Sequence, residues 1–155
     1  MSEREHTSVQ AAAVEILDAR CVLAIATVRP DGWPQNTIVG YSNDGMTIYF
    51  MILRASQKFH NISEDNRVAM AIGEQPSDIQ FAEAVYAAGH AAEVTDTQER
   101  EWAWQLLMKR HPNLAGKAMP AEAMIAMMRA QCEHVSVLEY SKGLGHTELL
   151  ELPQK

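Results

Sequence analysis

Cysteine is scarce in this chain: Cys21 and Cys132 are the two in 155 residues, far apart and without a framework around them. A disulfide-stapled fold is excluded, and a reducing compartment, the cytoplasm, is the expectation. Basic residues are also in short supply, with 13 Lys and Arg against 20 Asp and Glu and a formal charge of -7. A surface of that sign repels polyanions, which argues against nucleic acid and anionic lipid as partners. Long apolar runs are missing too. The longest, residues 22–28, is far shorter than the roughly 20 residues of a membrane helix, and Glu15, Asp18 and Arg20 interrupt the apolar residues before it. The start Met1-Ser2-Glu3-Arg4-Glu5-His6 lacks the basic head and apolar centre of an export signal. The histidines at 6, 60, 90, 111, 134 and 146 include no pair at metal-binding helical spacing, so no metal centre is expected. No nucleophile elbow, phosphate-binding loop or dinucleotide glycine fingerprint is present, which leaves hydrolase chemistry without support.

What remains is an ordinary globular composition, 47% hydrophobic and 21% charged. A single domain of this size buries about two thirds of its unfolded surface. Thr7 and Gln10 read as a capping box, after which Val9, Ala12, Ala13, Ile16 and Leu17 recur on one helical face. Three strand-like runs follow, roughly residues 21–28, 35–42 and 46–53, separated by Arg29-Pro30-Asp31-Gly32 and Ser42-Asn43-Asp44-Gly45. Each separator carries Asp-Gly, a hairpin signal, and each is too short for a parallel crossover, so the neighbours are antiparallel. Ser56 opens a second helix that Asp65-Asn66 stops, and residues 67–72 form a fourth strand.

Residues 79–95 read as a long strand bent at Gly89, although their alanines favour a helix. Asp96 with Glu99 caps a helix through Trp102 and Trp104 that ends before Pro112. These two tryptophans lie about 200° apart, so only one faces inward. Pro120 at a first helical position opens a further helix bearing Met124, Ile125, Met127 and Met128. Residues 133–140 and 147–152 close the chain as strands. The expected fold is mainly β with peripheral helices: a six- to seven-stranded antiparallel barrel.

The stretch from Ser56 to Lys58 carries the chemistry. A strand that runs into a hydroxyl N-cap, an ammonium and the positive end of a helix makes a pocket for an anion, phosphate above all. Lys58 in the first turn is unfavourable unless something negative binds beside it.

Residues 26–35 (Ala-Thr-Val-Arg-Pro-Asp-Gly-Trp-Pro-Gln), Ile48-Tyr49-Phe50, Ser56-Gln57-Lys58, Asn61-Ile62 and Asn66-Arg67-Val68-Ala69 resemble the pyridoxamine 5'-phosphate oxidase-like family of FMN-binding split barrels. That resemblance implies a six-stranded split barrel, usually a homodimer with flavin at the subunit interface, acting as an oxidoreductase on a small organic substrate. It places Lys58 on the flavin phosphate with Ser56 and Gln57 beside it. Thr37, Ile38 and Val39 on the second strand, with Met51 and Ile52 on the third, match positions along the ribityl chain and isoalloxazine ring. Relatives often carry a basic residue where this chain has Gln57 and a hydroxyl or basic residue where it has Ile52; Arg54 in the intervening loop is the expected substitute. No arginine cluster for a substrate phosphate matches in the C-terminal third, where Arg100, Arg110 and Arg129 are the only arginines. The resemblance also admits the same fold with deazaflavin or haem, or a flavin-binding protein without catalysis.

Overall fold

The computed structural model describes residues 3–74 and 76–153. Seven antiparallel strands run in the order β3-β2-β1-β4-β5-β6-β7, and β3 pairs back onto β6. The first six therefore close into a barrel, and β7 extends it beyond β6. The strands are β1 (Val22–Val28), β2 (Pro34–Asp44), β3 (Thr47–Leu53), β4 (Arg67–Gly73), β5 (Glu83–Glu93), β6 (Ile125–Glu139) and β7 (Thr147–Glu151). Helices α1 (Glu3–Asp18), α2 (Gln57–Glu64) and α3 (Thr97–Arg110) sit around it. Among the described residues no helix is long and apolar enough to cross a membrane.

Both Asp-Gly turns close hairpins, with Gly32 and Gly45 at φ of 87° and 56°, where a side chain is strained. Alternate residues of each strand fill the barrel, Leu23, Ile25, Tyr41, Phe50 and Val85 among them. Helix α1 buries Val9, Ala13, Ile16 and Leu17 against that core. A second apolar cluster forms outside the wall, where Ala103, Trp104 and Leu107 of α3 pack on Tyr49 and Met127. Trp104 is the tryptophan that turns inward; Trp102 is half exposed.

Two sequence expectations are corrected. Helix α1 starts at Glu3, and Thr7 lies inside it, its hydroxyl donating to the Glu3 carbonyl at 2.9 Å instead of capping a first turn. The helix expected after Pro120 is absent. Residues 125–128 are the start of β6, laddered against β3 from Leu53↔Ile125 to Phe50↔Met128. Ala126, Met127 and Met128 are all buried because the barrel core lies on one side of this strand and α3 on the other. A strand covered on both faces shows no alternation, and its methionines then imitate a helix.

The bend at Gly89 is a β-bulge: Ala88 pairs with His134 but Gly89 with Cys132, leaving Glu133 as the extra residue. At the other end of the core, the buried Tyr41 hydroxyl donates to the Leu17 carbonyl at 2.7 Å and ties β2 to α1. Arg110 donates to the same carbonyl, so Tyr41→Phe leaves that acceptor satisfied. The expected loss is about 1 kcal/mol, read as a fall of roughly 2–4 °C in Tm.

Candidate functional site

The barrel is split between β2 and β3. They pair over Tyr41–Asp44 and Thr47–Phe50, then part, because the rest of β2 is laddered to β1 and the rest of β3 to β6. A cleft of about 300 Å³ opens there, lined by Ile38, Val39, Gly40, Met51, Ile52, Leu53, Ser56 and Lys58. Its walls are apolar and its polar end is the start of α2.

Ser56 is the N-cap of α2, as its sequence position implies. Its hydroxyl accepts from the Phe59 amide at 3.2 Å and donates to the Leu53 carbonyl at 2.6 Å, locking the strand-to-helix turn. Lys58 reaches back across the split and donates to the Thr37 hydroxyl at 2.8 Å. Among the described residues it has no carboxylate partner, and burial lowers its pKa from the ordinary 10.5. A partly desolvated ammonium bonded to one hydroxyl is electrostatically incomplete, and an anion would complete it.

Of the nine residues nominated from the sequence, Ile38, Val39, Met51, Ile52, Ser56 and Lys58 line the cleft, and Thr37 is joined to it through Lys58. Ile38 points outward, 68% exposed, whereas Val39 and Ile52 turn toward the core. Gln57 is turned away: its amide donates to Asn61 at 2.8 Å, and Asn61, fully buried, donates to Thr27 and Gln35. Arg54 is engaged elsewhere as well. Its guanidinium pairs with Glu93 through both terminal nitrogens, donates to the Glu122 carbonyl at 2.6 Å and lies 5.4 Å over the Phe59 ring. Sequence reasoning missed Gly40 and Leu53, each two positions beyond a nominated residue on the same strand face; strand alternation would have found them. His60 is exposed on α2, and no cluster of three metal-ligating side chains occurs among the described residues.

Two larger hollows, about 450 and 670 Å³, lie on the outer barrel face and share Ala24, Ala71 and Tyr86. Val22, Ile38, Tyr86 and Leu149 stand exposed around them. The face is broad, apolar and floored by small residues.

Residues 9–139 match the sequence profile described as pyridoxamine 5'-phosphate oxidase. The chain belongs to the pyridoxamine 5'-phosphate oxidase family. Its fold is similar to that of a heme binding protein from Mycobacterium smegmatis, with TM-score 0.74, 19% identity and 91% of this chain covered. The chain spans 57% of that mycobacterial protein's length. A putative pyridoxamine 5'-phosphate oxidase from Listeria innocua aligns at TM-score 0.70 and 17% identity over 84% of this chain and 98% of its own. An FAD-binding protein from Mesorhizobium loti aligns at TM-score 0.65 and 20% identity, covering 88% and 94% of the two chains. At such identities the likeness to these family folds is one of architecture. No curated protein matches the sequence significantly.

Proposed function

We propose that this pyridoxamine 5'-phosphate oxidase-family protein is a cytoplasmic homodimeric flavoprotein, an oxidoreductase that binds FMN in the split and acts on a small organic substrate. The observation that carries the reading is Lys58, a half-buried ammonium at the polar end of an apolar cleft, bonded among the described residues only to Thr37. A phosphate fits that end, with Lys58 and Thr37 as donors and the first turn of α2 beside them. Ile38 and Met51 offer the ribityl chain and ring an apolar wall, with Val39 and Ile52 lining the cleft beside them. When bound, FMN supplies the hydride and electron transfer itself. Gln57 and Arg54 join the phosphate only by exchanging their present partners, Asn61 and Glu93.

The exposed apolar face supports the homodimer: a second copy seated on Val22, Ile38, Tyr86 and Leu149 would bury it and close the outer side of the cleft. Unpaired Cys21 and Cys132 accord with a reducing cytoplasm. Mass spectrometry of the ligand released from native protein, with its absorbance spectrum, tests the whole reading. Release of FMN is the expected result. A single Soret band would favour haem, the ligand named for the mycobacterial structural neighbour, and a deazaflavin would change the cofactor but not the cleft. FMN that is retained yet not reoxidised by oxygen after reduction would make this a storage or sensing protein.

The lowered pKa of Lys58 also sets a pH dependence. Burial favours the neutral amine, so apo-protein stability rises with pH across the interval between the lowered value and 10.5. FMN binding has the opposite sign, since its phosphate needs the ammonium. Affinity is expected to hold near neutral pH and fall as Lys58 deprotonates, beginning below 10.5, when titrated by quenching of flavin fluorescence.

A further inference from the structure

Helix α2 is tied to the barrel by one buried amide. Asn61, three positions after Lys58, is fully buried, and each of its polar atoms is used: Oδ1 accepts from the Gln57 amide at 2.8 Å, and Nδ2 donates to the Thr27 hydroxyl at 2.9 Å and to the Gln35 side-chain carbonyl at 3.1 Å. Thr27 and Gln35 are direct partners in the β1–β2 ladder, so the amide grips both strands at one rung. Gln35 and Thr37 stand two apart on β2 and share a face. The helix therefore meets that face at two points, Asn61 on Gln35 and Lys58 on Thr37. Apolar contacts made by Ile62 and Phe59 already dock α2 on the core. A buried amide adds nothing to such packing; it costs stability unless its bonds are made, and the bonds it makes are directional.

We infer that Asn61 is a positioning residue for the flavin phosphate: by clasping Thr27 and Gln35 it sets the register of α2 against β2, and so the place of the Lys58 ammonium beside Thr37, without touching the ligand itself. This deepens the FMN reading and rests on it. Gln57 belongs to the same clasp, since its amide holds Oδ1 of Asn61, and the basic charge lining the cleft is left to Lys58. A residue of this kind acts only on the part of the ligand that Lys58 reaches, the phosphate, and leaves the contacts of the ribityl chain and ring as they were.

The test compares FMN with riboflavin, which lacks the phosphate, each titrated into apo protein and read by quenching of flavin fluorescence. In Asn61→Leu, which keeps the bulk but no polar atom, FMN affinity is expected to fall about tenfold while riboflavin affinity stays within about twofold. In a Lys58→Ala background the same substitution should cost FMN no more than about twofold, since no ammonium is left to place. Gln35→Ala cuts one bond of the clasp at a half-buried position and should narrow the preference for FMN over riboflavin in the same direction; it decides the matter if Asn61→Leu does not fold. Equal losses for the two flavins, an undiminished loss of FMN affinity in the Lys58→Ala background, or a Gln35→Ala protein with the wild-type preference overturns the inference and leaves the flavin reading intact. Wild-type protein that binds neither flavin, or both alike, removes the phosphate site and this inference with it.

Discussion

Lys58→Ala is expected to weaken the proposed FMN binding by about ten- to a hundredfold, the loss of a charge-assisted contact of roughly 1.5–3 kcal/mol. Lysine in the first turn of α2 opposes the helix dipole, and its ammonium is partly desolvated, so the chain carries an electrostatic cost that an anion relieves. Removing the side chain should leave the apo fold intact or slightly more stable, because no carboxylate loses a partner. That combination, unchanged or raised Tm with weakened flavin, separates a binding residue from a structural one. Fluorescence titration of apo protein with FMN measures the affinity; an unchanged value removes Lys58 from the site. Lys58→Arg tests geometry in the same titration, since a guanidinium restores charge but not the compact reach to Thr37 at 2.8 Å.

Gly89→Ala is expected to be the most damaging single-methyl change in the barrel. A Cβ at this position would stand 1.8 Å from the Gln131 carbonyl oxygen and 2.9 Å from its carbonyl carbon, both backbone atoms of the facing strand. No rotamer relieves such a contact; the bulge itself has to move. Overpacking of this kind costs typically 1–3 kcal/mol and here about 3 or more, since main chain must shift. Thermal unfolding should show a fall of roughly 6–12 °C, or no soluble folded protein at all. By contrast, alanine at Gly116, where no neighbour lies within 4 Å, meets only the strain of its positive φ of 74°. A fall no larger at Gly89 than at Gly116 would show that the bulge relaxes freely.

The bulge was legible because a glycine inside a strand run carrying Val85, Tyr86 and Val94 commonly marks a bend, even though the alanines beside it favour a helix. Two of the three expected N-caps were equally legible, Ser56 and Asp96 each accepting from the amide three residues on, whereas Thr7 lies inside α1. Such signals are local, and the sequence states them directly. The helix expected from Pro120 failed for the opposite reason, since Met127 and Met128 became strand through a partner, β3, more than seventy residues earlier, and through α3 covering the outer face. Arg54 illustrates the same limit at the site. Its position beside Ser56 suited a phosphate ligand, but Glu93 and the Glu122 carbonyl, remote in sequence, hold it.

From turns and capping signals alone, the chain determined a mainly β fold, the antiparallel order of its early hairpins and the N-cap that starts α2. Tertiary structure decided where β2 and β3 part, that Lys58 bonds Thr37 across the opening, and that every arginine from Arg20 onward is paired. The division follows the range of the forces. Caps, turns and glycine conformations are settled within a few residues, whereas the partner of a charge or the second face of a strand depends on residues that meet only when the barrel closes.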